Sequence, residues 1–388
     1  MKAHGHDDRL EVALVVEQLR RRVPGGIGRY TTGLLAGLAD MAAAGEEVPT
    51  VVLHASRPAA GTDPLAAYGR PVVASALPGP LLTRAWDRGI GGVGGQAAVV
   101  HAVSLAHPPP RGAALVVTVQ DLAWRTVPAA FPSRGRRWHA AAFARARRRA
   151  RRLVVPSEET ATAVTAAGVD PATVVVIAHG VDHLATPDTA GADAVLARLG
   201  VDDDFVLSVG TLEPRKNLAR LVDAYGRARR DLPGKWPLVV VGAHGWGTAT
   251  ATPRRGGGGP GGSGPGPVPA GGEAGVVFAG PVDDGVLMAL YERARLLVYV
   301  PLAEGFGFPP VEAMAMGTPV VASDLPSLGG AGLVVDPLAV DEMAAGIVAA
   351  ATDEAVRGDL VAGGAKRAAE LTWRASAQRH VALWESLR

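Results

Sequence analysis

Short runs of consecutive apolar residues recur along the chain and alternate with segments whose apolar residues are three or four positions apart. Residues 12–16 and 296–300 are typical of the runs. A run of this kind predicts a strand buried on both faces, whereas the wider spacing predicts an amphipathic helix. Repeated alternation of the two predicts an α/β protein with doubly wound parallel sheets. Further strands are predicted at 50–53, 98–103, 115–119, 153–155, 173–177, from 205 onward, and at 238–241, 275–280, 318–323 and 333–336.

The alternating pattern divides into two halves joined by a polar segment. At 388 residues the chain is long for one hydrophobic core, and its hydrophobic content of 48% is enough to fill two. Residues 186–204 are polar and rich in small side chains, so we predict a linker with one short helix there. The sequence therefore predicts an N-terminal domain over 1–183, a C-terminal domain over 184–371 and a last helix over 372–388.

Two carboxylates bracket a loop-to-helix junction after one of the apolar runs. Glu304 lies in a glycine-rich turn, and Glu312 follows eight positions later. The helix is predicted to begin at Pro309 or Pro310 and to end at Gly317. Proline has no N–H, and an N–H in the first turn of a helix would have had no partner. The backbone N–H groups and the positive dipole end of such a junction favour anions and hydroxyl-rich ligands.

A second combination of strand, glycine loop and helix carries two adjacent cations. The strand that begins at Phe205 reaches Gly210, and Arg215 and Lys216 follow before a helix that Asn217 can cap. Arg215 offers a planar fork of donors and Lys216 a point charge, which is the pair that a diphosphate needs. Two surface cations without a ligand are the alternative, but their place after a strand-end glycine favours phosphate binding.

The first half repeats the order of strand, glycine loop and helix around Gly25, Gly26 and Gly28. This is the usual frame for a phosphate or close-approach site, and a plain tight turn is the alternative. Ligands of parallel sheets lie at the carboxyl ends of the strands, which places several further polar residues near one rim. For each of them a strand-end cap or a turn is the alternative role. They are Glu17, His101, Gln120, Asp121, Ser157 and His179.

An arginine-rich helix is predicted over residues 134–152, which carry nine arginines and no acidic residue. Ser133 can cap this helix, and Trp138 and Phe143 give it apolar anchors. The arginines cover more than half of the helix circumference, so a solvated helix is one interpretation. The other is a patch that docks on an anionic membrane surface or an anionic acceptor, where each arginine could add ~1 kcal/mol. Nucleic acid is not expected as a partner, since the formal net charge of the chain is only +2.

Three other motifs are interpreted as connections. Residues 248–275 are nearly all small residues and proline, and we predict a mobile loop because this composition cannot bury a core. Residues 89–94 match G-x-G-x-x-G, but they precede a strand and do not open a helix, so we interpret them as a loop. Residues 202–204 resemble a D-x-D metal motif, but they too precede a strand and are interpreted as a turn.

The composition excludes several kinds of site. The chain has no cysteine, which excludes disulfides, thiolate metal sites and cysteine nucleophiles. Residues 1–9 lack the apolar segment of a signal peptide, and no apolar run reaches the roughly 18 residues that span a bilayer. We therefore expect a cytoplasmic protein, either soluble or peripheral at the inner face of the plasma membrane.

Taken together, the motifs resemble those of retaining glycosyltransferases of the GT-B fold, family 4. The strongest parts are residues 209–217 and the E-x7-E element from Glu304 to Glu312. The resemblance covers most of the chain and implies two Rossmann-like parallel-sheet domains facing across a cleft, with the last helix packing back toward the N-terminal domain. The subgroup is similar to bacterial mannosyltransferases of surface-polysaccharide or glycolipid assembly. Further agreement is found at 25–30, 179–182 and 317–324.

The resemblance implies a role for each matching residue. Arg215 and Lys216 would hold the donor diphosphate and stabilise its charge as it leaves, and Glu304 would bind hydroxyls of the donor sugar. With Gln120 and Asp121 they form the implied catalytic set. The implied substrate-binding set is Gly25, Gly26, Ile27, Gly28, Gly210, Thr211, Pro281, Val282, Gly305, Phe306, Gly307, Phe308, Val311 and Glu312.

The resemblance also implies the parts of the donor and the course of the reaction. Glu312 would bind the ribose hydroxyls, and Pro281 and Val282 would contact the base. The family needs no metal or other cofactor, and the implied donor is GDP-mannose, with UDP-glucose next. The acceptor would be a glycan or a polyprenyl or glycolipid carrier. It would attack the face from which the diphosphate departs, and the leaving phosphate would take its proton.

Three departures from the family pattern keep alternatives open. Gln120 stands where the family usually has a histidine that contacts the donor sugar, and glutamine cannot carry a proton near neutrality. Residues 327–333 lack about half a dozen expected residues, including a glutamate, and 248–275 replaces an ordered connection. One alternative is a catalytically impaired nucleotide-sugar-binding relative, and another is a membrane- or nucleic-acid-binding module built on the arginines. A phosphorylase is disfavoured because the chain shows no pyridoxal-binding lysine motif.

Overall fold

The computed structural model describes residues 10–21, 24–93, 95–245 and 275–388. The segment predicted to be a mobile loop, 248–275, lies outside the described residues except for Gly275. The described residues form two parallel sheets with helices packed against them, and each sheet belongs to a separate compact unit.

Most strands coincide with the continuous apolar runs, because a strand covered by helices on both faces buries every side chain. The described part of the chain contains thirteen strands. They are β1 (Glu11–Val15), β2 (Thr50–Ala55), β3 (Val72–Ala74), β4 (Val99–Ala102), β5 (Ala114–Thr118), β6 (Arg152–Val155), β7 (Val174–Val176), β8 (Val206–Val209), β9 (Leu238–Val241), β10 (Val276–Gly280), β11 (Leu296–Tyr299), β12 (Val320–Ala322) and β13 (Leu333–Val334).

The α-helices lie between the strands and at the carboxyl end of the chain. No helix of the described residues is both long and apolar enough to cross a membrane. The helices are α1 (Gly25–Ala43), α2 (Gly79–Asp87), α3 (Ala123–Thr126), α4 (Ser133–Arg149), α5 (Glu158–Ala166), α6 (Thr189–Leu199), α7 (Leu218–Ala228), α8 (Asp284–Arg293), α9 (Phe308–Ala315), α10 (Val340–Thr352), α11 (Glu354–Glu370) and α12 (Trp373–Glu385).

The first unit contains the described residues up to Leu122 together with Ser133–His183 and Leu371–Arg388. Its seven parallel strands lie in the order β3-β2-β1-β4-β5-β6-β7. The strand order reverses between β1 and β4, which is where open parallel sheets usually bind ligands. Right-handed crossovers place α1 on one face of this sheet and α2, α4 and α5 on the other.

Helix α12, the last in the chain, packs against α1 of the first unit. Two glycines of α1 allow this close approach. A Cβ atom at Gly33 would lie 2.0 Å from the Trp373 ring, and one at Gly37 would lie 2.2 Å from the Trp373 carbonyl oxygen. The backbone N–H of Trp373 also donates to the Asp182 carboxylate at 2.7 Å. Side chains at both glycine positions would therefore push α12 away from α1.

The second unit contains Ala123–Pro132 and Leu184–Glu370. Its six parallel strands lie in the order β10-β9-β8-β11-β12-β13. Helices α7 and α10 cover one face and contact each other, around a core that includes Leu221, Tyr225 and Ile347. Helix α6 packs on α8 and β10, so the predicted linker contributes a packed helix to this unit.

Two local predictions from the sequence were wrong. The glycines predicted to form a loop before α1 instead make its first turn, where Gly28 N–H donates to the Pro24 carbonyl at 3.2 Å. Asn217 precedes α7 but makes no capping hydrogen bond with its side chain. Its amide group instead donates to the carbonyls of Val300 at 3.1 Å and Pro337 at 2.7 Å. The edge strand β3 was not predicted at all.

Candidate functional site

A cluster of buried charged side chains in the second unit lies at the carboxyl ends of β8 and β11. These two strands are adjacent and parallel, so the loops that follow them meet at one edge of the sheet. Lys216 lies in the short 3₁₀ turn Pro214–Lys216 after β8, and Glu304 lies in the loop after β11. The backbone N–H of Leu302 donates to the Arg215 carbonyl at 2.9 Å and holds the two loops together.

Glu304 is the centre of this cluster. Its Oε1 atom accepts hydrogen bonds from Arg215 Nη1 at 2.5 Å, from Lys216 Nζ and from the Tyr299 hydroxyl at 3.0 Å. The Glu304 side chain is only 13% exposed. A carboxylate shared by two cations in a partly dehydrated site is held in one orientation, since charge-assisted hydrogen bonds are the strong ones.

Tyr299 is a functional candidate that the sequence did not reveal. It is the last residue of β11, and its hydroxyl accepts from Lys216 Nζ at 2.5 Å while it donates to Glu304. The Lys216 ammonium also lies 4.9 Å from the centre of the Tyr299 ring. Burial, followed by the nearby Glu304 charge, raises the pKa of Tyr299 well above its usual value, so the phenol stays protonated.

Glu213 is a second candidate that was not predicted, although it lies within the recognised motif. Its Oε1 atom accepts from Arg215 Nε at 3.1 Å and from Nη2 at 2.8 Å. The remaining terminal nitrogen of Arg215 contacts Glu304 and also donates to the Ala303 carbonyl at 3.0 Å. Arg215 is therefore held along both edges of its guanidinium plane. In the sequence, the only signal for Glu213 was its position two residues before Arg215.

The ionisation of this cluster follows from burial and charge together. Burial alone would raise the pKa of Glu304, but the charges of Lys216 and Arg215 and the hydrogen bonds from Lys216 and Tyr299 outweigh it and lower this pKa to about 2. Burial lowers the pKa of Lys216, an effect that the Glu304 charge opposes. Burial raises the pKa of Glu213, and the positive charge of Arg215 opposes this increase. Glu304 is therefore ionised near neutral pH, next to the Lys216 amine and the Arg215 guanidinium.

A glycine contact shapes the loop after β8. Gly210 and Gly242 have φ angles of +154° and +148°, a region that favours glycine. A Cβ atom at Gly242 would lie 2.1 Å from the Gly210 carbonyl oxygen, so that position admits no side chain. A small pocket opens beside this contact, and its lining includes Gly210, Thr211, Lys216 and Tyr299. The backbone can thus approach a ligand closely next to the cations.

The loop that carries Glu304 continues into α9. Gly307 is the residue before this helix and has a φ angle of +95°, which explains the glycine. Ser327 fixes the turn, since its hydroxyl donates to the Gly307 carbonyl at 2.9 Å and its N–H to the Phe306 carbonyl at 3.3 Å. Phe306 is buried and packs edge-on against Phe308. Ser327, the first residue of the short segment 327–333, therefore supports the predicted sugar-binding loop directly.

Glu312, expected to bind the ribose, lies inside α9 and is only 1% exposed. Its Oε2 atom accepts from the Tyr291 hydroxyl at 3.2 Å. Val311 beside it is fully buried. The predicted base-contacting residues Pro281 and Val282 lie after β10, at the same carboxyl edge of the sheet and two strands from β8.

The acidic residues 202–204 lie between α6 and β8. They precede β8, whereas Gly210 and Lys216 follow it, so they belong to the opposite edge of the sheet. Within the described ranges no group of three or more histidine, aspartate or glutamate side chains is placed to hold a metal ion. The geometry therefore gives residues 202–204 no part in the charged cluster.

The remaining predicted site residues lie in the first unit. Gly25, Gly26, Ile27 and Gly28 form the first turn of α1, with the first two exposed. Gln120 and Asp121 follow β5 at the carboxyl edge of the sheet.

Gln120 is held by a neighbouring histidine. His179 Nε2 donates to Gln120 Oε1 at 3.0 Å, and the Gln120 amide nitrogen reaches the Val103 carbonyl at 3.4 Å. The His179 ring also packs against Tyr30 with 4.6 Å between ring centres. Burial, followed by the charge of His380, lowers the pKa of His179 to about 3, so this histidine is neutral at physiological pH.

A chain of buried hydrogen bonds begins behind this site at Trp384 of α12. An indole N–H can only donate, so Trp384 Nε1 donates to His101 Nδ1 at 3.2 Å. In a neutral imidazole the other nitrogen then carries the proton, and His101 Nε2 donates to Thr118 Oγ1 at 2.8 Å. Burial lowers the pKa of His101 well below its usual value.

The same chain ends on the backbone of α12. The Ser376 carbonyl can only accept, so His380 Nδ1 donates to it at 2.8 Å, and Nε2 accepts from the Tyr30 hydroxyl at 2.9 Å. Tyr30 in turn accepts from Thr118 at 3.1 Å. These directions hold for neutral histidines, which agrees with the burial that lowers the pKa of His380 to about 4.

The family comparisons divide the chain in the same way as the two sheets. Residues 24–183 match the family described as Glycosyltransferase Family 4, and residues 203–353 match the one described as Glycosyl transferases group 1. Both units are therefore glycosyltransferase domains. The predicted cations and Glu304 fall in the second match, whereas Gln120 and Asp121 fall in the first.

Curated relatives of these glycosyltransferase domains include mannosyltransferases. The chain is 35% identical over 174 residues to the O-antigen chain mannosyltransferase B of Escherichia coli. That match covers 44% of this chain and 42% of the relative, so the chain spans less than half of the relative's length.

Solved structures show that the two glycosyltransferase domains have the GT-B fold. HepE from Anabaena in complex with UDP-glucose is 19% identical, with a TM-score of 0.68 over 97% of this chain and 100% of that one. Sucrose-phosphate synthase from Thermosynechococcus elongatus is 20% identical, with a TM-score of 0.66 over 98% and 99% of the two chains. At these identities the likeness supports the fold alone.

Proposed function

We propose that this protein is a retaining glycosyltransferase that moves a hexose, namely mannose, from a nucleotide-diphosphate sugar to a glycan or lipid-linked acceptor. The observation that carries the proposal is the buried cluster of Arg215, Lys216 and Glu304 at the carboxyl ends of β8 and β11. Two fixed cations beside a glycine-lined pocket are suited to a diphosphate, and the adjacent carboxylate is suited to sugar hydroxyls.

The chemistry follows from where charge develops. Breaking the sugar–phosphate bond builds negative charge on the diphosphate and positive charge on the sugar ring. Lys216 and Arg215 would stabilise the first, and the ionised Glu304 would stabilise the second, since all three are held in place before the reaction. The cations would supply the neutralisation that a metal gives in other enzymes, so we propose that no metal is needed.

The relatives support the choice of donor. The mannosyltransferase B of Escherichia coli is 35% identical to this chain over 174 residues, which favours mannose as the transferred sugar. HepE binds UDP-glucose in its solved structure, which keeps UDP-glucose as the next donor to test. We propose GDP-mannose as the donor and a polysaccharide or glycolipid under assembly as the acceptor.

A donor screen tests this proposal first. GDP-mannose and UDP-glucose are each added to the purified protein, and the thermal unfolding midpoint and sugar transfer are both measured. A ligand at 100 times its Kd should stabilise the folded state by ~2.7 kcal/mol. Stabilisation by a donor without transfer to any glycan or glycolipid would instead support an impaired nucleotide-sugar-binding protein. No stabilisation by any nucleotide sugar would contradict the donor site.

Two substitutions then test the site. Glu304→Gln and Lys216→Ala should each lower transfer by about tenfold or more, since one preorganised charged contact is worth roughly 2.7–4 kcal/mol in a transition state. The matched controls are Glu292→Gln and Lys366→Ala, because both side chains are exposed. The controls should keep wild-type turnover. Full activity in both site variants would show that the cluster is structural.

A further inference from the structure

One side of the first unit combines exposed arginines with exposed aliphatic side chains. Eleven arginines and only one acidic residue lie in residues 72–90 and 133–152. These two segments contain β3, α2, α4 and the chain next to them. The acidic residue is Asp87, which is paired with Arg145 and accepts from Trp138 Nε1 at 3.1 Å. The surface therefore has no unpaired negative charge to offset its arginines.

The contacts of Asp87 also show that α2 and α4 are neighbours. Asp87 ends α2, whereas Trp138 and Arg145 belong to α4. A Cβ atom at Gly89 would lie 3.7 Å from Arg149 Nη2, which extends the contact past the end of α2. Since both helices cover the same face of the sheet, their outer sides form one surface, here called the α2–α4 surface.

The outer side of α4 is basic. Its buried residues are Ala142, Phe143 and Ala146, and the helical period places the arginines mostly on the opposite side. Seven arginines of this helix and the turn after it are exposed, which is the arrangement of the polar face of an interfacial helix. They are Arg134, Arg136, Arg137, Arg147, Arg148, Arg149 and Arg151.

The outer side of α2 adds apolar side chains at the same surface. Leu81 is 50% exposed, and Arg84 and Arg88 follow it at intervals of three and four residues on the same side of the helix. Leu77 before the helix is 38% exposed and Ile90 after it is 60% exposed. These are three of the seven large hydrophobic side chains that are exposed among the described residues.

We propose that the α2–α4 surface docks on a lipid bilayer that contains anionic headgroups. The arginines would pair with the headgroup phosphates, and Leu77, Leu81 and Ile90 would enter the boundary with the acyl chains. Charge alone would suit any polyanion, but a soluble polyanion offers nothing to the three aliphatic side chains. Docking of this kind is independent of the proposed transfer reaction, because none of these residues belongs to the charged cluster of the second unit.

Sedimentation with vesicles tests the docking. The full chain is mixed at about 0.1 M salt, where the screening length is ~10 Å, with vesicles of phosphatidylcholine alone or of phosphatidylcholine and phosphatidylglycerol. We expect binding to the mixed vesicles to be at least tenfold stronger than to the neutral ones. Equal binding to both, or no binding to either, would overturn the proposal.

Two matched sets of charge variants locate the docking surface. Arg134→Gln, Arg137→Gln and Arg148→Gln together should lower binding to the mixed vesicles at least tenfold. The matched control removes three exposed cations elsewhere, Arg230→Gln, Lys366→Gln and Arg379→Gln, and should change binding less than about twofold. An equal loss in both sets would show that net charge, and not this surface, is responsible, and would overturn the proposal.

The aliphatic part has its own test. Leu81→Ser with Ile90→Ser should lower vesicle binding at least tenfold without changing binding to dextran sulfate, a polyanion with no apolar region. Wild-type vesicle binding in this variant would overturn the bilayer as the occupant in favour of a soluble polyanion.

A third set of charge variants, Arg134→Lys, Arg137→Lys and Arg148→Lys, keeps the charge and should bind as the wild type, which separates loss of charge from misfolding.

Discussion

The hydroxyl of Tyr299 lies 2.5 Å from Lys216 Nζ and 3.0 Å from Glu304 Oε1, so one phenol joins the cation and the carboxylate of the candidate donor site. It accepts from the first and donates to the second. Because its pKa is raised, the phenol keeps the proton that its contact with Glu304 needs. Tyr299 therefore supports the direct contact between Lys216, which would bind the diphosphate, and Glu304, which would bind the sugar.

Tyr299→Phe should lower transfer by roughly 5- to 150-fold while donor binding changes little. The ring stays beneath Lys216, but two hydrogen bonds are lost, each with a net value of roughly 0.5–1.5 kcal/mol. The measurement is kcat and KM for transfer from GDP-mannose. Tyr68→Phe is the matched control, since its hydroxyl is exposed and bonds only Thr32 at 2.9 Å in the described structure. A Tyr299→Phe enzyme with unchanged kcat would show that the phenol plays no part in positioning.

Glu213→Gln should loosen Arg215 and raise KM for the donor more than it lowers kcat. The carboxylate accepts two hydrogen bonds from the guanidinium, and hydrogen bonds to charged groups contribute roughly 1.5–3 kcal/mol. Glu213→Asp keeps the charge and should recover part of the loss. The control is Glu46→Gln, which removes the exposed pair with Arg374. A control that lost as much activity as Glu213→Gln would contradict the positioning role.

Gly242→Ala should destabilise the protein by roughly 1–3 kcal/mol, because its Cβ would meet the Gly210 carbonyl oxygen at 2.1 Å. Gly226→Ala is the control, since nothing lies within 4 Å of its Cβ position and the residue is inside α7. There alanine should stabilise by about 0.5–1 kcal/mol. Urea unfolding of both variants measures the difference. Two equal changes would refute the close contact.

Acid should destabilise the first unit through its buried histidines. Above about pH 6.5 neither folded nor unfolded histidine is charged, so burial has no cost there. Below it, unfolded His380 and His179 bind protons, whereas the folded forms resist until about pH 4 and about pH 3. Stability is therefore lost as the pH falls from 6.5 through these values, by at most about 1.4 kcal/mol per pH unit for each histidine.

The test of this pH dependence compares unfolding free energies between pH 7 and pH 4 for the wild type and for His380→Gln. The variant should show a shallower loss of stability on acidification, because one of the protons taken up on unfolding is gone. His244→Gln, in which an exposed histidine is replaced, should follow the wild type. Identical slopes in all three proteins would rule out a neutral His380 in the folded state.

The sequence was most informative where structure is local. The continuous apolar runs predicted β9 and β11 to within one residue at each end, since a strand buried on both faces leaves a direct signal. The two α/β halves followed from the repeated alternation, and the GT-B fold followed from the resemblance of the motifs to a known family. Arg215, Lys216 and Glu304 could also be named, because each follows a predicted strand, and loops after neighbouring parallel strands meet.

Only the tertiary structure decided which groups these residues contact. In the sequence, Tyr299 is one of several residues in a continuous apolar run. Its hydroxyl becomes a candidate site group only because folding brings it next to Lys216, 83 positions away. The pairing of Tyr30 with His380 spans 350 positions, and no periodicity records such a distance. A hydrophobic pattern indicates whether each residue is buried or exposed to solvent, whereas a hydrogen bond depends on two positions at once. The sequence therefore determined the elements and the candidate charges, and the packing of those elements decided their geometry.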